Sequence, residues 1–526
     1  MGLAKTVMVQ GVSSDVGKSV LVAALCRILA QDGYRVAPFK AQNMALNSFV
    51  TASGGEIGRA QAVQAEAARV DPTVDMNPVL LKPVEDTVAQ VIVHGRAIGN
   101  MTAQEYMRFK KHAGWKAITE SLQRLREEYD IVVIEGAGSP AEVNLRDNDV
   151  VNMPVAVEAD APVILVGDID RGGVFAYLVG TLELLEPWEK ERIKGIIINK
   201  FRGRKELLKP GLDTLTRLVG IPVLGVVPYF TDFRVPEEDS LPARYYNRGG
   251  YRDPDRPGFG CARSGGIKGI EIAVIYLPHI SNFTDFDLLE TEPETKVRYT
   301  RRGDSLGWPD VVIIPGTKNT IDDLAYLHET GRAGEIVALS KAGVPVVGIC
   351  GGYQMLGRKL RDPLGLESKR NSIDGLGLLD MITELQPDKM THQAEALIEA
   401  DYGPFAGLAG RKVRGYEIHM GISRLGPEAR PLLRIVSRSG RDVSVLDGAI
   451  RGDGLVFGTY LHGIFDNDSF RHRFVNWLRT RKGLKPLCGP TGSSESERER
   501  AYERLASTVR RSLDMTLFYQ LFLSMK

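Results

Sequence analysis

Residues 5–33 read "KTVMVQGVSSDVGKSVLVAALCRILAQDG". An apolar run comes first, then a loop of small residues, then apolar residues at helical spacing that end in Gly. This is the pattern of a buried strand, a tight loop and a helix. Small residues let the loop backbone wrap phosphate oxygens with its N–H groups, and the helix N-terminus adds a positive dipole. Gly11, Ser14 and Gly17 would form the wrap. Lys18 would reach the β- and γ-phosphates of ATP, and the Ser19 hydroxyl would ligand Mg²⁺. The loop departs from the usual spacing, because five residues separate Gly11 from Gly17-Lys18 where four are common, and Val12 stands where a glycine is expected.

Working outward, five further apolar runs alternate with helical patterns: "YRVAPFK", "DIVVIEG", "APVILVGD", "IKGIIINK" and "PVLGVVP". Runs this continuous predict parallel strands buried on both faces, hence an α/β, doubly wound sheet over residues 1–232 with ligands at the carboxyl ends of its strands. Glu135 ends one of these strands beside Gly-Ala-Gly. It is either the second Mg²⁺ ligand or a capping or salt-bridged carboxylate. Asn199 ends another and either bonds the adenine edge or serves as a turn residue. Residues 233–268 are rich in Gly, Pro, Arg and Asp without apolar period and predict a linker. A second α/β domain is expected over 269–470, from "IEIAVIYLP", "PDVVIIPG", "VPVVGIC" and "GLVFGTYLHG", with a helical tail over 471–526.

In the second region "GICGG" (348–352) follows one strand and precedes a helical pattern. Glycines on both sides permit the sharp strand-to-helix turn that lifts a nucleophile out of a sheet. The helix N-terminus favours the thiolate of Cys350. The N–H of Gly351 and Gly316, in "IIPGTKNT", are candidate oxyanion donors. A thiol needs a base, and His462 in "GTYLHGIFDN" is the best placed of eight histidines, with His419 in "GYEIHMG" as rival. The position two after His462 is Ile464. The orienting acid is therefore Asp466, or Glu417, or absent, which would leave a Cys–His dyad.

The chain has 526 residues, more than one core holds, so two or three domains are expected. Hydrophobic residues at 43% and charged residues at 25% are ordinary for a globular protein, and a net charge of +1 offers no reason for a nucleic-acid or membrane partner. Its four cysteines (Cys26, Cys261, Cys350 and Cys488) form no CxxC pair, so neither a zinc site nor a disulfide framework is indicated and a reducing cytoplasm fits. The opening residues lack a signal-peptide core, and no apolar stretch approaches the roughly 20 residues of a membrane span.

The long loop and the "EGAG" strand end resemble the dethiobiotin synthetase type of ATP-dependent ligase. "PFKAQNMALNSFVT", "NPVLLKP", "EGAGSPAEVNLRDNDVVNM", "GDIDRGGVFA" and "INKFRGR" resemble the cobyric acid synthase family, and the resemblance runs from about residue 5 to the C-terminus. It implies amidation of corrin carboxylates with ATP, Mg²⁺ and glutamine, no prosthetic group, and a class I amidotransferase domain in which the His after "GTYLHG" is catalytic. His462 inherits that role, and His419 becomes a supporting residue. Gln42, Asn43, Asn47, Asp168, Asp170 and Arg171 lie in the matching motifs and are candidate corrin contacts. Two alternatives stand beside this reading. One is cobyrinic acid a,c-diamide synthase. The other is a partitioning-type ATPase switch with an inactive amidotransferase domain, which an intact Cys350–His462 pair argues against. Pairing an ATP site with a thiol in one chain has a chemical logic: ATP activates a carboxylate, and the thiol frees ammonia from glutamine along a sheltered path.

Overall fold

The computed structural model describes residues 2–85, 87–230, 269–487, 489 and 494–523. The expected linker (233–268) lies outside them. The described residues form two compact units that interleave in sequence. One comprises residues up to 45, 55–230 and 495–523, and the other comprises 46–54 and 269–494.

The first unit is built on a six-stranded parallel sheet in the order Val223–Pro228, Ile193–Phe201, Val163–Asp168, Lys5–Gly11, Ile131–Glu135, Val36–Phe39. These are the six apolar runs read from the sequence. Helices cover both faces, so Val7, Met8, Val9, Val132, Val133 and Ile164 are fully buried. From Lys5–Gly11 the chain runs to the edge strand Val36–Phe39, returns to Ile131–Glu135, and crosses to Val163–Asp168 on the other side, so the loop after Gly11 sits where the strand order reverses, where such folds bind ligands. A second, four-stranded sheet follows the order Gln42–Met44, Val79–Glu85, Val88–Val93, Arg96–Thr102. The helix Ser494–Ser512 also belongs here. Its Leu505, Ala506 and Val509 enter the same core as the helix Lys18–Gln31. Arg27 of that helix is wholly buried, and its guanidinium meets Glu499 at 2.7 Å.

The second unit carries a sheet whose parallel part runs Thr295–Thr300, Ile270–Ile275, Val311–Ile314, Val346–Ile349, Val456–Thr459. Long antiparallel strands extend it: Arg441–Arg451, Ala429–Arg438, Met381–Ile398 and Lys412–Leu425. The helix Asp468–Arg481 packs Phe470 and Phe474 into this unit's core. The segment expected as one tail from 471 is therefore divided: its first helix serves the second unit, and residues from 495 onward serve the first. Both pieces follow their apolar faces, Phe470, Phe474 and Leu478 in one and Leu505, Val509 and Phe518 in the other. Among the described residues no helix is long and apolar enough to cross a membrane.

Candidate active sites

In the first unit the loop turns on Gly17, whose φ is +94°. A Cβ there would lie 2.3 Å from the Asn199 side-chain nitrogen, so only glycine fits. That nitrogen donates to Val16 O at 2.8 Å, and the buried Asn199 Oδ1 has no partner. Asn199 thus braces the loop and keeps an acceptor of the kind an adenine amine would meet. The Lys18 ammonium donates to Ser13 O and Gly138 O, each at 3.0 Å. Burial, with the neighbouring Lys40 charge, pushes Lys18 down to about 8 against the pull of Glu135.

Glu135 ends its strand fully inside the unit. The Ser19 hydroxyl donates to its Oε1 at 2.8 Å, Gln64 Nε2 to its Oε2 at 2.5 Å, and Lys40 Nζ lies 3.1 Å from Oε1. Burial alone would raise this carboxyl, but Lys40, Gln64 and Ser19 together hold it below the usual range. One carboxylate and one hydroxyl side by side fit a Mg²⁺ ion that takes its other ligands from phosphate and water. Among the described residues no group of three or more His, Cys, Asp or Glu could hold a metal by itself. Lys40 and Gln64 were not singled out from the sequence, and the strand-end position of Lys40 in "YRVAPFK" was the available signal. Ser14 lies exposed in the loop.

At the same edge Lys200 pairs with Asp168 at 3.0 Å, Arg171 approaches Asp15 at 3.5 Å, and Arg202 donates to Asp170 at 2.8 Å. The other corrin candidates separate. Gln42 accepts from the Tyr106 hydroxyl at 2.5 Å, and Asn43 is buried against Gln61 at 3.1 Å. Asn47 belongs to the second unit, where its buried carbonyl accepts from Phe283 N at 3.1 Å.

In the second unit Cys350 stands between Val346–Ile349 and the short helix Gly351–Met355, with φ 52° and ψ −110°. A β-carbon on Gly352 would lie 2.0 Å from Ile314 O, so the elbow closes only because that residue has none. Cys350 Sγ lies 3.4 Å from Ile418 O. Gly316 and Gly351 flank the same turn: a Cβ on Gly316 would meet His462 Cε1 at 3.0 Å, and one on Gly351 would lie 3.3 Å from Thr317 N. His462 is fully buried and stacks on Tyr416 at 5.1 Å. Burial opposes its charged form, yet the Asp285 charge and the Cys350 thiolate prevail and push the imidazole up to about 10.

The acid on Nδ1 of His462 is Asp285, at 2.7 Å. Neither acid expected from the sequence holds that place. Glu417 takes the Arg438 guanidinium at 2.7 and 2.8 Å, and Asp466 sits on the turn after His462. This contact sets a buried carboxylate beside the Cys–His pair. Asp285 comes from 177 residues earlier, so local spacing could not find it. His419 stacks on Tyr460 at 3.8 Å and its Nε2 lies 3.7 Å from Glu417 Oε1, which suits a supporting residue.

Both halves match described families. The CobQ/CobB/MinD/ParA nucleotide binding domain matches residues 7–243, and the CobB/CobQ-like glutamine amidotransferase domain matches residues 271–470. The cobyric acid synthase of Desulforamulus reducens is 52% identical over 521 residues, covering 99% of this chain and 98% of that one. The chain belongs to the cobyric acid synthase family. Members from Pelotomaculum thermopropionicum (52% identical, 99% of this chain and 97% of that one) and Yersinia enterocolitica (49%, 97% and 96%) agree with it end to end. As a member of the cobyric acid synthase family it is a glutamine-dependent ligase of cobalamin biosynthesis with an ATP-binding domain.

Proposed function

We propose that this chain amidates carboxylates b, d, e and g of adenosylcobyrinic acid a,c-diamide in turn, giving adenosylcobyric acid. The observation that carries the reading is the presence, in one chain matched over 99% of its length by cobyric acid synthase, of a phosphate loop and a buried Cys–His pair. A corrin carboxylate oxygen attacks the γ-phosphorus of ATP, ADP leaves, and an acyl phosphate forms. Lys18 steadies the charge that develops on the transferred group. Ser19 and Glu135 would hold Mg²⁺, which neutralises phosphate charge when bound.

Glutamine is opened in the other site. Cys350 Sγ attacks the side-chain amide carbon, and the N–H groups of Gly351 and Gly316 would receive the oxyanion. His462 takes the thiol proton and delivers it to the departing nitrogen, so the C–N bond breaks and ammonia leaves. Water, deprotonated by His462, then frees glutamate from the thioester. Ammonia attacks the acyl phosphate carbonyl, phosphate departs, and one amide is made.

The test compares product from glutamine and from ammonium chloride. Cys350→Ser is expected to lose the glutamine route at least a hundredfold and keep the ammonium route, which rises with pH as NH₃ is freed. Equal use of glutamine by this variant would defeat the assignment. Supplying cobyrinic acid as substrate separates the a,c-diamide synthase alternative.

A further inference from the structure

In this unit the residue two places after His462 is Ile464, 1% exposed and packed in the core, so the acid must come from elsewhere. Two residues of one segment, Asn282 and Asp285, meet the imidazole. Asp285 Oδ2 meets Nδ1 at 2.7 Å, and its Oδ1 accepts the backbone N–H of Gly463 at 3.1 Å. One carboxylate therefore holds both the ring and the backbone beside it. Asn282 Nδ2 lies 3.5 Å from Nε2. The segment is itself pinned: Phe283 N donates to Asn47 Oδ1 at 3.1 Å and Ser48 N to Asn282 Oδ1 at 3.0 Å. Asp285 is 5% exposed, so water does not compete for its oxygens.

We propose that Asp285 is the positioning acid of the glutaminase, completing a Cys350–His462–Asp285 triad whose third member precedes the nucleophile in sequence. The inference rests on the Cys–His reading above. An acceptor on Nδ1 fixes the proton there and turns the lone pair of Nε2 toward the thiol. The thiol proton then moves to Nε2, and the carboxylate steadies the imidazolium until that proton passes to the leaving nitrogen. The titratable groups facing the imidazole are Asp285, the Cys350 thiol and the stacked Tyr416.

The test is Asp285→Asn in the full chain. Its amide would donate toward Nδ1, drive the proton to Nε2 and leave the thiol without a base. Glutaminase kcat is expected to fall about 10²- to 10⁴-fold, with the KM for glutamine changed less than about threefold. Iodoacetamide labelling of Cys350, located by mass spectrometry, is expected to stay flat from pH 6 to 9 in the wild type. In Asp285→Asn it should fall steeply below pH 8, while Asp285→Glu should restore the flat profile. Near-UV circular dichroism and a melting curve show whether the variant is folded. A folded Asp285→Asn with near-normal kcat, or with a flat labelling profile, overturns the proposal. So does a loss seen in Asp466→Asn instead. If Cys350→Ser hydrolyses glutamine as well as wild type, the Cys–His reading fails first, and the two failures are told apart.

Discussion

ATP binding at pH 8 should draw a proton from solution, and Lys18 should be its destination. Without nucleotide, the Lys18 ammonium is buried with two neutral carbonyl oxygens as its hydrogen-bond acceptors, and that burial, helped by the like charge of Lys40, outweighs the pull of Glu135. Its pKa of about 8, against an ordinary 10.5, corresponds to about 3 kcal/mol against the charged form. A polyphosphate beside the ammonium reverses that balance, so the bound complex holds Lys18 fully protonated. The proton taken up equals the fraction that was neutral beforehand: about 0.1 at pH 7, about 0.5 at pH 8 and about 0.9 at pH 9 for a group titrating at about 8. The sign follows: affinity for MgATP weakens as pH rises, most steeply above pH 8. Isothermal titration calorimetry in two buffers of different ionisation heat measures the uptake directly. Lys18→Met should abolish both the uptake and synthesis from either nitrogen donor. Zero uptake at pH 8 in the wild type, or an uptake that survives in Lys18→Met, would refute the account.

Glu135→Gln should weaken Mg²⁺ use in acyl-phosphate formation by tenfold or more while glutamine hydrolysis continues, as a metal titration of each activity would show. Gly17→Ala places a methyl 2.3 Å from Asn199 Nδ2 at a φ of +94°, so nucleotide affinity measured by calorimetry should drop by at least tenfold. Leu505→Ala empties a site only 1% exposed and should destabilise the first unit by about 2–5 kcal/mol in urea unfolding.

What the sequence made legible follows from how each element is buried. The six parallel strands are covered on both faces, so each shows as an unbroken apolar run. Met381–Ile398 is buried on one face in part of its length, and its charged residues hide a strand of 18 residues. Lys18, Ser19 and Glu135 were readable because the backbone itself carries them to one edge of one sheet. Asp285 was not, because its partner on His462 is joined to it by packing across the unit and by no spacing along the chain. Lys40 belongs between these cases: its strand was legible, but its meeting with Glu135 at 3.1 Å depends on which strands are neighbours.

The interleaving of the two units bears on the birth of the protein. The first unit holds the phosphate loop that follows Gly11, yet Leu505, Val509 and Phe518 of its core lie far downstream in the chain, beyond the second unit. At translation rates of about 5–20 residues per second, about 25–100 s pass between the emergence of the phosphate loop and that of the helix that seals its core. Through that interval Arg27 waits without Glu499, and the apolar faces around it lie open to chaperones or to other nascent chains. The second unit, needing only residues 46–54 from the early chain, can close first. Glutamine hydrolysis should therefore become possible on the ribosome before carboxylate activation does, and a fragment ended before residue 494 should express as an aggregate rather than as a working ATP domain.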